Sequence, residues 1–505
     1  MSKRIFKNTM LLYIRMLLML VVSLYTSRVV LSTLGVEDFG IYSAVAGFVS
    51  MVGFINGAMA FATQRFLSFE IGRKDGSQLR QVFSMSVSIH FFIALFLFLV
   101  AESLGLWFVS TKLIYPLDRM DAVQWVYQFS VLVLMVNIIS VPYNAIIIAY
   151  ERMNVYAGFS IVEVSLKLAI VFMLQWFGYD KLKLYAVLTF VVSFIIRLAY
   201  VIYCRYKFNE SKFRLFWNKQ LFITLLSYSG WNLFGNVADV AKGQGLNVLL
   251  NMFFGPIVNA SYSIAYQVRN AVQQFVSNFQ LAINPQIIKA YASNDLSKMH
   301  QLVFRGAKYS FFLLFTISLP VFIEAERVLQ IWLINVPDYT VVFTRLVIIN
   351  LLIDSISGTL LTAAHASGRI KLYQILTGGL LVTILPFSLL FLRLGSPPQS
   401  TFIVSIFISV LALVGRVLIV RKLVKLNAVL FLRNVVIRSL LVGLVATILP
   451  FAVYISIDSS LIRLFLIGVS SLISTFCTVY LIGLDKTERS FFVGLVRKYF
   501  NRLYS

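Results

Sequence analysis

Runs of about 20 apolar residues recur almost from end to end of this 505-residue chain, separated by short polar breaks. Each run matches the length a helix needs to cross a hydrocarbon core of about 30 Å. Little sequence remains for a soluble domain. The composition agrees: 59% of residues are hydrophobic and 13% charged, against about 45–50% and 25% in an ordinary soluble domain. The runs predict fourteen membrane-spanning helices, at 11–33, 40–62, 83–109, 123–147, 155–177, 184–204, 221–250, 257–284, 303–323, 341–363, 372–392, 401–420, 434–455 and 461–483. The first carries Arg15 and Arg28 and lacks a small-residue cleavage pattern, so it reads as an uncleaved span.

A net charge of +24 on a soluble protein would point to nucleic acid. Here the cations follow the alternation of the loops. In or at the edges of the breaks on the N-terminal side lie 28 Lys and Arg, against 7 on the opposite side. This bias predicts that both termini are cytoplasmic, with no nucleic-acid partner. Cys204 and Cys477 form no CxxC or Cys/His pattern, which leaves disulfide and metal readings without support.

The longest polar break, Arg205 to Gln220, separates six spans from eight. The predicted organisation is an N-terminal lobe at 1–204, an inter-lobe loop at 205–220, a C-terminal lobe at 221–420, two additional helices at 421–483 and a cytoplasmic tail at 484–505. The lobes echo each other in sequence. Gly35, Tyr42, Asp75 and Gln81 recur at one constant offset as Gly255, Tyr262, Asp295 and Gln301. Arg152 and Tyr156 recur at a slightly shorter offset as Arg369 and Tyr373, and Asn137 has a counterpart in Asn350. Such an echo predicts a duplicated fold.

Nine cations fall inside the spans, and at about 2.5–3.5 kcal/mol each in a lipid-facing central position they could not all be tolerated. Arg15, Arg345, Arg416 and Arg438 lie near span ends and are expected to snorkel. Arg28, Lys167, Arg197, Lys242 and Arg269 lie deeper and must face protein or water. The seventh span carries Asn232, Asn236, Asn247 and Asn251 at helical spacing; the eighth carries Tyr262, Tyr266, Asn270, Gln273 and Gln274. Two such stripes predict a polar cavity. Amides and phenols suit sugar hydroxyls, whereas Lys and Arg suit phosphate or carboxylate. Glu163 and Lys167, four residues apart, present either an internal ion pair or an ion site, and Asp239 with Lys242 offers the same alternatives. Asp354 has no close sequence partner and is the leading candidate for ion coupling.

The segment Ser27-Arg28-Val29-Val30-Leu31-Ser32-Thr33-Leu34-Gly35, followed by Val36-Glu37-Asp38-Phe39-Gly40-Ile41-Tyr42, resembles the start of bacterial polysaccharide-biosynthesis flippases of the multidrug/oligosaccharidyl-lipid/polysaccharide exporter superfamily. The likeness extends through Thr63-Gln64-Arg65-Phe66 and the Gly255 to Tyr262 segment. The resemblance implies an all-α membrane protein, with two six-helix lobes in a V arrangement plus two C-terminal helices. It also implies an inner-membrane flippase that moves an undecaprenyl-pyrophosphate-linked oligosaccharide, of O-antigen type, to the periplasmic leaflet. Its partners would be that lipid-linked oligosaccharide, membrane lipids and glycan polymerase machinery. No cofactor is implied beyond coupling to a proton or sodium gradient. Two relatives in the superfamily stay open, a cation-coupled multidrug antiporter and a lipid II flippase. A membrane polymerase or glycosyltransferase fits less well, because the predicted outer loops are short and no DxD, HExxH or Gly-rich phosphate loop occurs.

Overall fold

The computed structural model describes residues 3–51, 54–112, 116–174, 176, 179–333 and 336–490. The described residues are helical almost throughout. In chain order the helices are α1 (Lys3–Met51), α2 (Phe54–Arg73), α3 (Gly76–Val100), α4 (Leu106–Lys112), α5 (Met120–Ala149), α6 (Met153–Met173), α7 (Lys181–Lys207), α8 (Lys219–Ala292), α9 (Leu296–Ile323), α10 (Ala325–Trp332), α11 (Thr340–Ser367), α12 (Lys371–Arg393), α13 (Ser400–Val424), α14 (Ala428–Phe431), α15 (Arg438–Ser456) and α16 (Leu461–Thr478). Eleven helical segments among the described residues are long and apolar enough to cross a membrane. The other three expected spans, 40–62, 221–250 and 257–284, are helical where described but do not add to that number.

The chain divides into two compact units, Lys7–Leu233 and Phe234–Ser505 joined by Met1–Phe6. The division falls inside α8. In the first unit α5 is central and packs against α2, α3, α6 and α7. Burial distinguishes it from the periphery: 67% of its most apolar stretch is enclosed, against 28% for α6 and for α7. In the second unit α11 takes the equivalent place between α9 and α13, with 61% of its stretch enclosed. The outer helices leave large apolar side chains exposed, among them Leu444, Ile448, Phe465 and Leu472 on α15 and α16. A lipid-facing helix needs that composition, because hydrocarbon rather than water surrounds it.

The sequence echo reappears in backbone geometry. Gly35 interrupts α1 at φ 82°, ψ 169°, and Gly255 interrupts α8 at φ 76°, ψ −168°. A side chain at either position would meet open space. Glycine is therefore required by the dihedrals, which lie in a region only it occupies readily. Lys74 and Asn294 both adopt positive φ. Each precedes an aspartate that caps a helix: Asp75 accepts from the Gln78 amide at 3.0 Å and Asp295 from the Lys298 amide at 3.0 Å. Glu151 and Gly368, which the shorter offset aligns, also share positive φ. Even an aromatic contact repeats, with ring centroids of Tyr42 and Tyr185 at 4.8 Å and of Tyr262 and Phe402 at 5.8 Å.

At its end the chain folds back onto α9. Asp485 starts a last turn whose Glu488 side chain accepts from the Asp485 amide at 2.8 Å, a cap on that amide. Glu488 also accepts from Lys308 Nζ at 2.8 Å, and both side chains are almost wholly enclosed. Lys308 further donates to the Gly483 carbonyl at 3.2 Å, and Arg305 lies 3.3 Å from Glu488. Lys308 thus differs from the loop cations with which its sequence position groups it. Residues 491–505 of the expected tail lie outside the described residues.

Candidate functional site

Four intramembrane charges of the first unit come together from three helices. Glu163 and Lys167 occupy successive turns of α6, as their spacing requires, and pair at 2.9 Å. From α7, Arg197 reaches the other Glu163 oxygen at 3.2 Å and donates through Nε to Asn137 Oδ1 of α5 at 2.9 Å. The Arg15 guanidinium of α1 stacks 4.6 Å over the Tyr156 ring and is near enough to interact electrostatically with Glu163. Arg15, expected to snorkel, thus packs its guanidinium on an aromatic face. Around one carboxylate stand three cations.

Two cavities flank this cluster, and Asn137 lines both. One, of about 360 Å³, is bordered by Tyr42, Ser130, Lys167, Thr189 and Ser193. The other, of about 340 Å³, is bordered by Gln64, Ser140, Asn144, Tyr156 and Arg197. Cations, amides and hydroxyls in one hollow can bind a hydroxyl-rich anion. Sequence reading finds Lys167, Arg197 and Glu163 but misses Asn137 as the residue common to both hollows. Its sequence signals are an amide in the middle of an apolar span and a place in the internal repeat.

In the second unit the predicted residues are more dispersed. Lys242 is buried at 5% exposure, while Asp239 is exposed. The two form no ion pair among the described residues, so that alternative is corrected: Lys242 is enclosed and Asp239 is not. Arg269 lies 5.5 Å over Tyr266 and contacts Asn270 Oδ1 at 3.5 Å. Tyr262 is buried, stacks on Tyr266 at 4.4 Å and donates its hydroxyl to the Gly243 carbonyl at 2.7 Å. Asn236, Asn270 and Gln274 are exposed, Asn247 and Gln273 half-buried and Asn232 buried. Gln273 donates to Ser277 at 3.4 Å. Further along the same stripe the amides serve as helix-to-helix contacts: Asn284 accepts from Thr362 at 2.9 Å and Gln280 donates to Ser310 at 3.3 Å. The side chains of Arg28 and Asn251 lie outside the described residues.

Asp354 has a partner that its local sequence does not reveal. Arg416 of α13 approaches it at 3.8 Å, and Asn350 donates to its other oxygen at 3.0 Å. Arg416, expected to snorkel, is instead largely enclosed, with 13% of its side chain exposed. The offset that carries Arg152 onto Arg369 carries Asn137 onto Asp354, which corrects the expected pairing of Asn137 with Asn350. In each unit, then, an arginine from the next long helix but one reaches a polar residue of the central helix.

Beyond the spans, Arg119 ties the segment after Gly35 to the start of α7. It contacts Asp38 at 2.5 Å and Asp180 at 2.8 Å. Burial pushes the Asp180 carboxyl up, but the Lys183 amide, the Arg119 guanidinium and the Leu182 amide outweigh it and hold the group below its usual range. The Asp38 carboxylate is the main cause of a raised Arg119 value.

Similarity to known proteins places this arrangement. Residues 2–291 match the family described as polysaccharide biosynthesis protein. No curated protein matches the chain. Among solved structures, an outward-facing multidrug resistance MATE family transporter of the MOP superfamily is similar at TM-score 0.68 and 14% identity, covering 84% of this chain and 96% of that one. A MOP superfamily transporter from Pyrococcus furiosus, described as having a binding pocket of reverse polarity that suggests a different function, is similar at TM-score 0.66 and 13% identity, with coverages of 84% and 96%. The MATE transporter ClbM in complex with Rb+ is similar at 0.67 and 15%, with coverages of 85% and 96%. At these identities the likeness concerns the fold. With more than half of its residues matched by the family and a MATE-like helical fold over 84% of its length, this multi-pass membrane protein belongs to the polysaccharide biosynthesis protein family.

Proposed function

We propose that the protein flips an undecaprenyl-pyrophosphate-linked oligosaccharide from the cytoplasmic to the periplasmic leaflet of the bacterial inner membrane by alternating access, with both termini cytoplasmic. The observation that carries this reading is the charge balance in the first unit: Arg15, Lys167 and Arg197 gather around one carboxylate beside hollows lined with amides and hydroxyls. An excess of fixed positive charge suits a diphosphate, and the surrounding donors and acceptors suit sugar. Membership of a polysaccharide biosynthesis family supports the same cargo. Lys242 and Arg269 of the second unit are assigned to the same anionic cargo, together with Arg28, and the polar side chains from Asn232 to Gln274 to its sugars.

A second reading, export of drugs in exchange for a cation, draws on the fold shared with multidrug MATE transporters. It needs a carboxylate free to take a cation. Glu163 and Asp354 are engaged by arginine, which leaves the exposed Asp239 as the carboxylate this reading would use; the excess of cations around Glu163 favours the anionic cargo. The deciding experiment deletes the gene in its host and measures which leaflet holds lipid-linked glycan. Accumulation on the cytoplasmic leaflet, rescued by wild type and not by Arg197→Ala or Lys167→Ala, is the expected result. Unchanged glycan with new drug sensitivity would replace the flippase by the antiporter.

A further inference from the structure

The Glu163 cluster contains more than a neutral ion pair requires. Both carboxylate oxygens are engaged, one by Lys167 at 2.9 Å and the other by Arg197 at 3.2 Å. Lys167 borders one hollow and Arg197 the other. The charged and titratable groups facing Glu163 are Arg15 from α1, Lys167 from α6, and Arg197 and Tyr200 from α7; α5 presents the neutral Asn137. A carboxylate held between two cations that open on polar hollows occupies the position that an incoming phosphate oxygen would take.

The second unit supplies an internal control. In the register that aligns Arg152 and Tyr156 with Arg369 and Tyr373, Glu163 and Lys167 fall on Leu380 and Ile384. Ile384 is fully buried and Leu380 packs against the same apolar cluster. The duplicated helix therefore packs in its unit with aliphatic side chains at both positions. The fold does not require charge there, so the charges of the first unit call for another explanation.

We propose that Glu163 is a built-in surrogate for the substrate's diphosphate: it holds Lys167 and Arg197 until the phosphate oxygens replace it, and on release it takes up a proton. This rests on the flippase reading and adds to it a linkage between cargo and proton. With the diphosphate on Lys167 and Arg197, an ionised Glu163 would be left beside a like charge, which favours its protonated form. Proton and anion then bind cooperatively, and each strengthens the other by the same factor. Cargo and proton would thus be bound together and released together.

The test measures binding of inorganic diphosphate to the purified full-length protein across a pH series. Relative to Glu163→Gln, wild type should gain about tenfold more affinity per unit fall in pH, as linkage to one proton requires. The Gln variant should bind more tightly than wild type at neutral pH. Glu163→Leu, which copies the residue at 380, should behave like the Gln variant. In wild type alone, calorimetry in buffers of differing ionisation heat should register uptake of about one proton per diphosphate bound by Glu163. Parallel pH slopes for wild type and both variants, or no proton uptake in wild type, would overturn the surrogate while leaving an anion site. Undiminished binding in the Lys167→Ala/Arg197→Ala double variant would instead overturn the anion site itself.

Discussion

Replacing Glu488 by Gln removes one negative charge from the most enclosed ion pair among the described residues. Its side chain is 1% exposed and that of Lys308 is 2% exposed, so water cannot take over the lost interaction. Breaking a buried pair from one side costs about 3–5 kcal/mol. Lys308 retains the Gly483 carbonyl at 3.2 Å and has Asp485 at 3.6 Å, which places the cost near the lower end, about 3 kcal/mol. Gln still offers an oxygen to the Asp485 amide, so that hydrogen bond survives and the change reports charge. At 1.36 kcal/mol per tenfold, the segment should open about 150 times more often. Hydrogen exchange of the amides from Leu484 to Ser490, followed by mass spectrometry, measures that opening directly. A Lys308→Met/Glu488→Leu pair should recover most of the protection, because an apolar pair of similar volume replaces a buried ion pair at little cost. Exchange that rises less than about fivefold in Glu488→Gln would refute the reasoning, since it would mean that the pair contributes under about 1 kcal/mol.

Gly255→Asn should destabilise the protein by about 1–3 kcal/mol through its dihedrals alone, whereas Gly368→Asn, at φ 75°, ψ −10°, should cost only a few tenths. Thermal unfolding in detergent separates the two. Asp180→Ala should cost about 2 kcal/mol, because Asp180 both caps α7, accepting from the Leu182 and Lys183 amides at 3.0 and 3.2 Å, and binds Arg119. The depressed Asp180 value also fixes a sign with pH. Its contribution is fully present above the unfolded carboxylate value of about 3.9 and disappears as pH falls through the folded value, so an acid titration should narrow the gap between wild type and Asp180→Ala only below about pH 4. Asn284→Leu should lower thermal stability by about 1 kcal/mol, since it leaves the Thr362 hydroxyl only its 3.2 Å contact with the Gly358 carbonyl.

The helices are legible because apolar run length and loop charge are local properties of a sequence. The duplication is legible at its turns, where Gly35 and Gly255 or Asp75 and Asp295 answer backbone requirements that few residues can meet. The Glu163–Lys167 contact is visible from helical spacing. The depth of Arg197 in its span marks it as buried, but it stands on a different helix from Glu163, and nothing in the spacing shows that it shares that carboxylate. For the same reason Asp354 looks solitary: its partner Arg416 lies on a helix brought alongside only by folding. Lys308 groups with loop cations because its partner is 180 residues downstream. The amide stripe shows the opposite difficulty. Asn and Gln recur alike whether they line water or bind the next helix, and Asn284 and Gln280 do the latter.

The internal repeat carries a consequence for the history of the chain. If the repeat descends from one duplicated unit, the matching glycines and capping aspartates are what both copies kept, and the pair at 163 and 167 against the aliphatic pair at 380 and 384 is where they diverged. Grafting Glu and Lys onto positions 380 and 384, or Leu and Ile onto 163 and 167, would run that divergence in either direction. The resulting chimaeras would separate the residues the ancestor needed to fold from those a descendant acquired to work.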